Sequence, residues 1–382
     1  MSDSLLFIGG RIYQDPWRRL DHGGLLVKEG RISAIGPLSE LPRKELDRAR
    51  RVDISGTVML PGFNDNHLHT AVYGDNETYP SLTGLDEQGI VERLRERFPD
   101  PEEGELLMAF GWDYPDCPEP HKSLLDKAFP KNPVALIQFS GHGAWVNTPL
   151  LQQLKIDRET PDPEGGLIVR DGRGEPTGVL RDTAMDAIHR KRFLELHKER
   201  SRLRAAVERA LGHYREYGIT SVQDNTWLPQ TVGVLRQLRR EGALTCRFSC
   251  WPYGVVPWLA RLTDLRRYDR LWFHRGPWKY FLDGTFSTKT AWLLEPYVGE
   301  PENFGRPVLQ GEALDRVLIR AARDNRQAAF HAIGDGAVHE FLDRLERLAP
   351  RYPNLTALRL RLEHAQLVDP LDMRRLRELG VI

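Results

Sequence analysis

The feature that most constrains the fold of this 382-residue chain is a series of apolar segments that end in ionisable residues. The first is Met59-Leu60-Pro61-Gly62-Phe63-Asn64-Asp65-Asn66-His67-Leu68-His69. Residues two apart on a β-strand point to the same face. His67 and His69 can therefore reach one ion beyond the strand end, and imidazole suits zinc and similar metals. Taken alone, such a pair is more often two exposed strand histidines. The other segments bear on the choice. Gln327-Ala328-Ala329-Phe330-His331-Ala332-Ile333-Gly334-Asp335 is an apolar strand ending in histidine, then a glycine turn into helix. Leu358-Arg359-Leu360-Arg361-Leu362-Glu363-His364 alternates Leu and Arg and ends in histidine. Trp278-Lys279-Tyr280-Phe281-Leu282-Asp283-Gly284 carries a lysine among aromatics. Polar groups at the ends of several strands, each followed by helical sequence, are the pattern of the C-terminal rim of a parallel barrel.

These motifs resemble the amidohydrolase superfamily, and within it the amidohydrolase-3, YtcJ-like branch. Further matching segments are Gly141-His142-Gly143-Ala144-Trp145-Val146-Asn147, Gly174-Glu175-Pro176-Thr177-Gly178-Val179-Leu180, Gly218-Ile219-Thr220-Ser221-Val222-Gln223-Asp224, Thr290-Ala291 with Pro296-Tyr297, and Glu363-His364-Ala365. They occur in order over nearly the whole chain. The resemblance implies an α/β fold, a TIM-type (β/α)8 metallohydrolase barrel.

Lysine plus arginine and aspartate plus glutamate number 54 each, so net charge gives no reason to expect nucleic acid or an acidic membrane as partner. A small-molecule substrate is the expectation. No run approaches the roughly 18–20 apolar residues that span a bilayer, and the N-terminus lacks a signal-peptide core. Cys117, Cys246 and Cys250 make no disulfide framework, and the last two read as small core residues. A cytoplasmic protein is expected.

Along the chain, residues 1–59 hold short strand-like runs at 5–8, 24–27, 31–35 and 51–54, separated by Gly-containing turns. In the family this is part of a small β-sandwich. The barrel is expected over 60–382, with later strands at 219–224, 245–251, 278–282, 328–331 and 358–364 and helices at 199–217 and 312–325. Residues 75–198 are too long for one βα connection. They contain strands at 105–110, 134–139 and 166–169 and helices at 89–98 and 149–155, which suggests an inserted α/β subdomain over the barrel mouth.

Six barrel strands are visible where a closed barrel has eight, so the barrel is expected to be incomplete. In the family the eighth strand carries an aspartate that binds metal and acts as general base, and no residue here matches it. Two functional expectations follow. One is a metal-dependent hydrolase that cleaves an amide or other non-peptide C–N bond with metal-bound hydroxide. The other is a catalytically weak truncated relative or fragment, since a general base is typically worth about 10²–10⁴-fold. Unpaired strand edges would favour a homo-oligomer.

By resemblance, His67 and His69 hold one divalent metal, with zinc the first expectation, and His331 and His364 a second if two ions bind. A carboxylated Lys279 bridges them. Lysine reacts with CO2 only as the neutral amine, a form that burial favours. The plainer reading of Lys279 is a barrel lysine paired to a carboxylate. His142 and Asn147 are candidate substrate contacts, or else parts of a loop braced by Asn hydrogen bonds. Asp283 is a candidate catalytic residue that orients Lys279 or a ligand, or a turn-forming Asp-Gly. Asp335 reads as a helix N-cap rather than a ligand. Trp112, Trp145, Trp227 and Trp292, expected in loops, could line an apolar pocket, with buried packing the default.

Overall fold

The computed structural model describes residues 4–225, 229–254 and 264–382. Two compact units are present: Met1–Asn64 with Gly218–Thr220, and Asp65–Tyr217 with Ser221–Ile382.

The first unit contains two sheets. One runs in the order Arg31–Gly36, Gly24–Lys28, Ser4–Ile8, Arg50–Asp53, with only the last pair parallel. Alternation along Ser4–Ile8 and Gly24–Lys28 turns Leu6 and Leu26 into a small core with Leu41. The second sheet joins Arg19–Leu20, Arg11–Tyr13 and Val58–Met59. Sequence reading misses these three strands, because two or three residues are too few to display a period of two.

Two further sets of parallel strands lie mainly in the second unit. Phe273–Arg275, Arg247–Cys250, Ile219–Asp224 and Phe63–Leu68 lie side by side in that order. Trp278–Phe281, Ala328–Ala332 and Arg361–His364 form a second parallel set. A parallel bridge between Tyr253 and Lys279 connects the chain after Arg247–Cys250 to the second set. Neighbours thus follow chain order, and the returns carry helices such as Pro229–Arg240, Gly311–Arg323 and Asp335–Leu348, which is (β/α) barrel connectivity.

Two expected strands are shorter than the sequence suggests. The strand expected at 245–251 spans Arg247–Cys250, and the one expected at 358–364 begins only at Arg361. Ahead of Arg361 stands a helical turn, Asn354–Ala357, and Arg359 has φ +50°. The Leu–Arg alternation there is accidental rather than extended. Phe273–Arg275 is a strand with no expectation behind it.

The period of two places the chemistry. Trp278 and Tyr280 pack into a core with Leu314 and Leu318 of one helix, while Lys279 between them points the other way. Ala328, Phe330 and Ala332 face the same core together with Phe341 and Leu345, which leaves His331 on the opposite side. Burying each large apolar side chain is worth about 1.5–3 kcal/mol, so the outward packing fixes which residues turn inward.

The inserted region forms a five-stranded sheet in the order Gly166–Arg170, Pro176–Asp182, Gly143–Val146, Val134–Gln138, Leu107–Trp112. Leu136 faces helices Glu87–Arg97 and Lys122–Ala128, while Ala135 and Ile137 face helix Thr148–Leu154. A sheet covered on both faces reads as a continuous apolar run, which is why 134–139 was legible. Gly143–Val146 and Pro176–Asp182 were not, because glycine-rich motifs look like loops.

The expected loop placement of two tryptophans is corrected, while the default of buried packing holds for both. Trp112 and Trp145 lie in strands and are fully buried, so they pack the subdomain core instead of lining a pocket. Trp292 is half-buried in a loop, and Trp227 lies outside the described residues.

Candidate metal centre

Four histidines and a lysine meet at the strand ends. His67 is on strand Phe63–Leu68, and His69 follows it at the cap of helix Thr70–Asn76. Their ring centroids are 5.6 Å apart. His364 lies 5.0 Å from His67 and 4.7 Å from His331 by the same measure. Lys279 Nζ is 3.5 Å from His67 Nε2. Two imidazoles that share a tetrahedral ion through bonds of about 2.0–2.1 Å have centroids on the order of 5 Å apart. The donor set and its spacing therefore fit a divalent cation. Among the described residues, no three His, Cys, Asp or Glu side chains are already closed around a common point.

His67 and His331 are held by neighbours. His67 Nδ1 is 2.7 Å from Glu363 Oε2, and Arg361 grips the other Glu363 oxygen at 2.6 Å. Burial alone would raise the Glu363 pKa, but the hydrogen bonds from His67 and Arg361 outweigh it and hold the carboxyl down to about 2. An ionised Glu363 accepts a hydrogen bond from the Nδ1–H, so the Nε2 lone pair of His67 faces Lys279 and Asn225 Nδ2, the latter at 3.3 Å. The segment after the strand is pinned as well. Asp224 accepts from the Thr70 N–H at 2.7 Å, and the Asn225 N–H donates to the Leu68 carbonyl at 2.9 Å.

Lys279 is almost fully buried, and burial brings its pKa down to about 7. His331 is buried too, and burial pushes its pKa well below the ordinary histidine value. Its Nε2 donates to the Gly284 carbonyl at 2.9 Å. His364 is exposed, with φ +74°, a left-handed conformation that turns it at the strand end.

Asp283 lies beside His331. Its carboxylate sits in a cradle of backbone N–H groups from Trp292, Ile333 and Gly334 at 2.8–3.3 Å, 3.7 Å from His331 Nε2. Burial raises its pKa to about 7 against the pull of those three donors. Both oxygens are engaged, so the residue braces the turn at Ile333 and Gly334 that directly follows the strand of His331.

Asn147 is corrected too. It is fully buried and caps helix Thr148–Leu154. Its amide accepts from the Val134 and Leu150 N–H groups and donates to the Phe129 and Asn132 carbonyls. A side chain with all these bonds cannot reach a substrate. Asp335 lies in the first turn of helix Asp335–Leu348, where Gly334 is the cap, and accepts from the Leu294 N–H.

His142 does reach the cluster, with its ring 5.2 Å from that of His331 and its Nδ1 2.9 Å from Asp182. Sequence reasoning missed Glu363, Asp224, Asn225 and Asp182 as supporting residues. Each lies in or beside a quoted motif, but nothing local in sequence pairs it with its histidine.

Parallel barrel strands with a histidine–lysine cluster at their ends define a barrel protein of the metallohydrolase type. The chain belongs to the amidohydrolase family, whose model matches residues 50–382. It is 30% identical over 363 residues to the putative amidohydrolase YtcJ of Bacillus subtilis, covering 90% of this chain and 65% of that one. An N-substituted formamide deformylase of Arthrobacter pascens is 26% identical, over 94% of this chain and 68% of its own length. An uncharacterized metal-dependent hydrolase from Pyrococcus horikoshii superposes with a TM-score of 0.70 at 26% identity, covering 99% of this chain and 74% of the other. The chain thus spans about two thirds of the length of these curated relatives.

Proposed function

We propose that the chain acts as a metal-dependent hydrolase on an amide or other non-peptide C–N bond of a small molecule. The observation that carries this reading is the convergence of His67, His69, His331 and His364 with a buried Lys279. These five residues would hold a divalent cation, with zinc the first expectation. When bound, such an ion acidifies water to a pKa of about 7 and polarises a carbonyl. The deformylase relative adds chemical support for C–N cleavage.

The rest is done by side chains. With its pKa near 7, Lys279 is partly free amine at neutral pH. That amine can add to CO2, forming an Nζ–C bond and releasing a proton, and the resulting carbamate would give the centre an anionic oxygen donor. Glu363 keeps the Nε2 of His67 available, and Asp283 steadies His331. His142 faces the space beside His331, where it would meet substrate. None of the three cysteines is in a disulfide, which suits the cytoplasm, and among the described residues no helix is long and apolar enough to cross a membrane.

The test is elemental analysis of the purified chain beside a His67→Ala, His69→Ala variant, with turnover of a panel of simple amides. The wild type should carry divalent metal, and the variant should lose it together with amide turnover. Equal metal content in the two proteins would sink the assignment.

A further inference from the structure

His142 and Asp182 stand at the adjoining ends of two antiparallel strands of the inserted sheet. Gly143 pairs with Arg181, and the Asp182 N–H donates to the His142 carbonyl at 2.7 Å. Their side chains meet too, with Nδ1 2.9 Å from Oδ1. A carboxylate only accepts, so the ring donates from Nδ1, and the neutral imidazole then keeps its lone pair on Nε2. Asp182 adopts φ +49°, ψ −124°, a conformation that costs a non-glycine residue about 1–3 kcal/mol and gathers at functional sites. Sheet pairing with Gly166 on its other side holds it there.

The second oxygen of Asp182 is the sharper observation. The side chain is 6% exposed, and Oδ2 is buried without a hydrogen-bond partner among the described residues. Gly284 leaves room for it: a Cβ at that position would lie 2.9 Å from Oδ2. An unpaired buried acceptor costs about 1–3 kcal/mol, so Asp182 is kept in place at a cost and its side-chain hydrogen bond goes to His142. The His142 ring is 25% exposed and remains reachable, beside both His331 and Phe281.

We propose that His142 and Asp182 form a recognition pair for an N–H of the substrate. The site then favours amides that keep a hydrogen on the scissile nitrogen over N,N-disubstituted ones. Asp182 is the positioning residue, and His142 Nε2 makes the contact. This rests on the hydrolase reading above. A site built to receive a hydrogen bond rejects an analogue that lacks the donor, because its own polar groups are left unpaired.

The experiment uses the full chain at about pH 8, above the ordinary histidine range. Imidazole nitrogen NMR of histidine-labelled protein reads the tautomer, and titration with N-butylformamide and N-butyl-N-methylformamide reads the preference. The His142 resonances, identified by their absence in His142→Gln, should report an Nδ1-protonated ring. The secondary amide should bind about tenfold or more tightly than its methylated analogue. That preference should shrink in Asp182→Asn and vanish in His142→Gln, with metal content and melting temperature near those of the wild type. An Nε2-protonated His142, equal binding of the two amides, or binding of neither would overturn the inference. Metal analysis of the same samples separates the two failures. A metal-loaded protein without the preference loses only this inference, whereas a protein that takes up no metal loses the hydrolase reading.

Discussion

Glu363 and His67 are 296 residues apart in the chain, yet Oε2 and Nδ1 lie 2.7 Å apart. The contact ties the last described barrel strand to the first. It also decides which nitrogen of His67 is free.

Replacing Glu363 should therefore weaken metal binding without removing any proposed ligand. Glu363→Gln keeps the shape but can offer its N–H to Nδ1, which favours the wrong tautomer. Supporting carboxylates of this kind are typically worth about 10–100-fold in metal affinity. Competition with a chromophoric chelator measures it, and an unchanged dissociation constant would remove Glu363 from the centre.

Lys279 gives a chemical signature independent of turnover. Protein equilibrated with carbon-13 bicarbonate should show a carbamate resonance near neutral pH, and Lys279→Met should lack it. The sign follows from the lowered pKa: burial leaves the free amine abundant near pH 7, and as pH falls below that value protonation should drive the carbamate off. A resonance that persists in Lys279→Met would place the modification elsewhere.

Asn147→Ala should destabilise the chain without emptying the centre. The substitution removes a helix cap and leaves the Val134 N–H and the Phe129 and Asn132 carbonyls short of partners. Each orphaned group costs about 1–3 kcal/mol and the lost cap about 1 kcal/mol more. Thermal denaturation should show a lower midpoint with metal content retained. Loss of substrate binding at unchanged stability would restore the direct role.

Gly74→Ala should perturb the segment after His69 from a distance. A Cβ at Gly74 would lie 1.8 Å from the Ala206 carbonyl, so helix Thr70–Asn76 could no longer sit so close to helix Arg200–Glu216. Overpacking of this kind costs about 1–3 kcal/mol or more. The expected result is a lower melting temperature and weaker metal binding together. A wild-type melt would mean that the helices separate without cost.

The sequence by itself determined which residues the centre could draw on. His67, His69, Lys279, His331 and His364 stood out at or near strand ends, and the resemblance to the family's motifs marked them as candidate ligands. Strand Ile219–Asp224 and helix Arg200–Glu216 were legible from local patterns of apolar residues. Tertiary structure decided the roles. Asn147 reads as a candidate contact until the fold surrounds its amide with four backbone partners, and Asp283 as either an orienting or a turn-forming residue until the backbone beyond His331 wraps its carboxylate. Asp182 and Glu363 gain meaning only from histidines 40 and 296 residues away. The physical reason is that burial patterns follow from neighbours along the chain. Hydrogen-bond partners and desolvation depend on which distant segments the closed fold sets side by side, and no local period encodes that pairing.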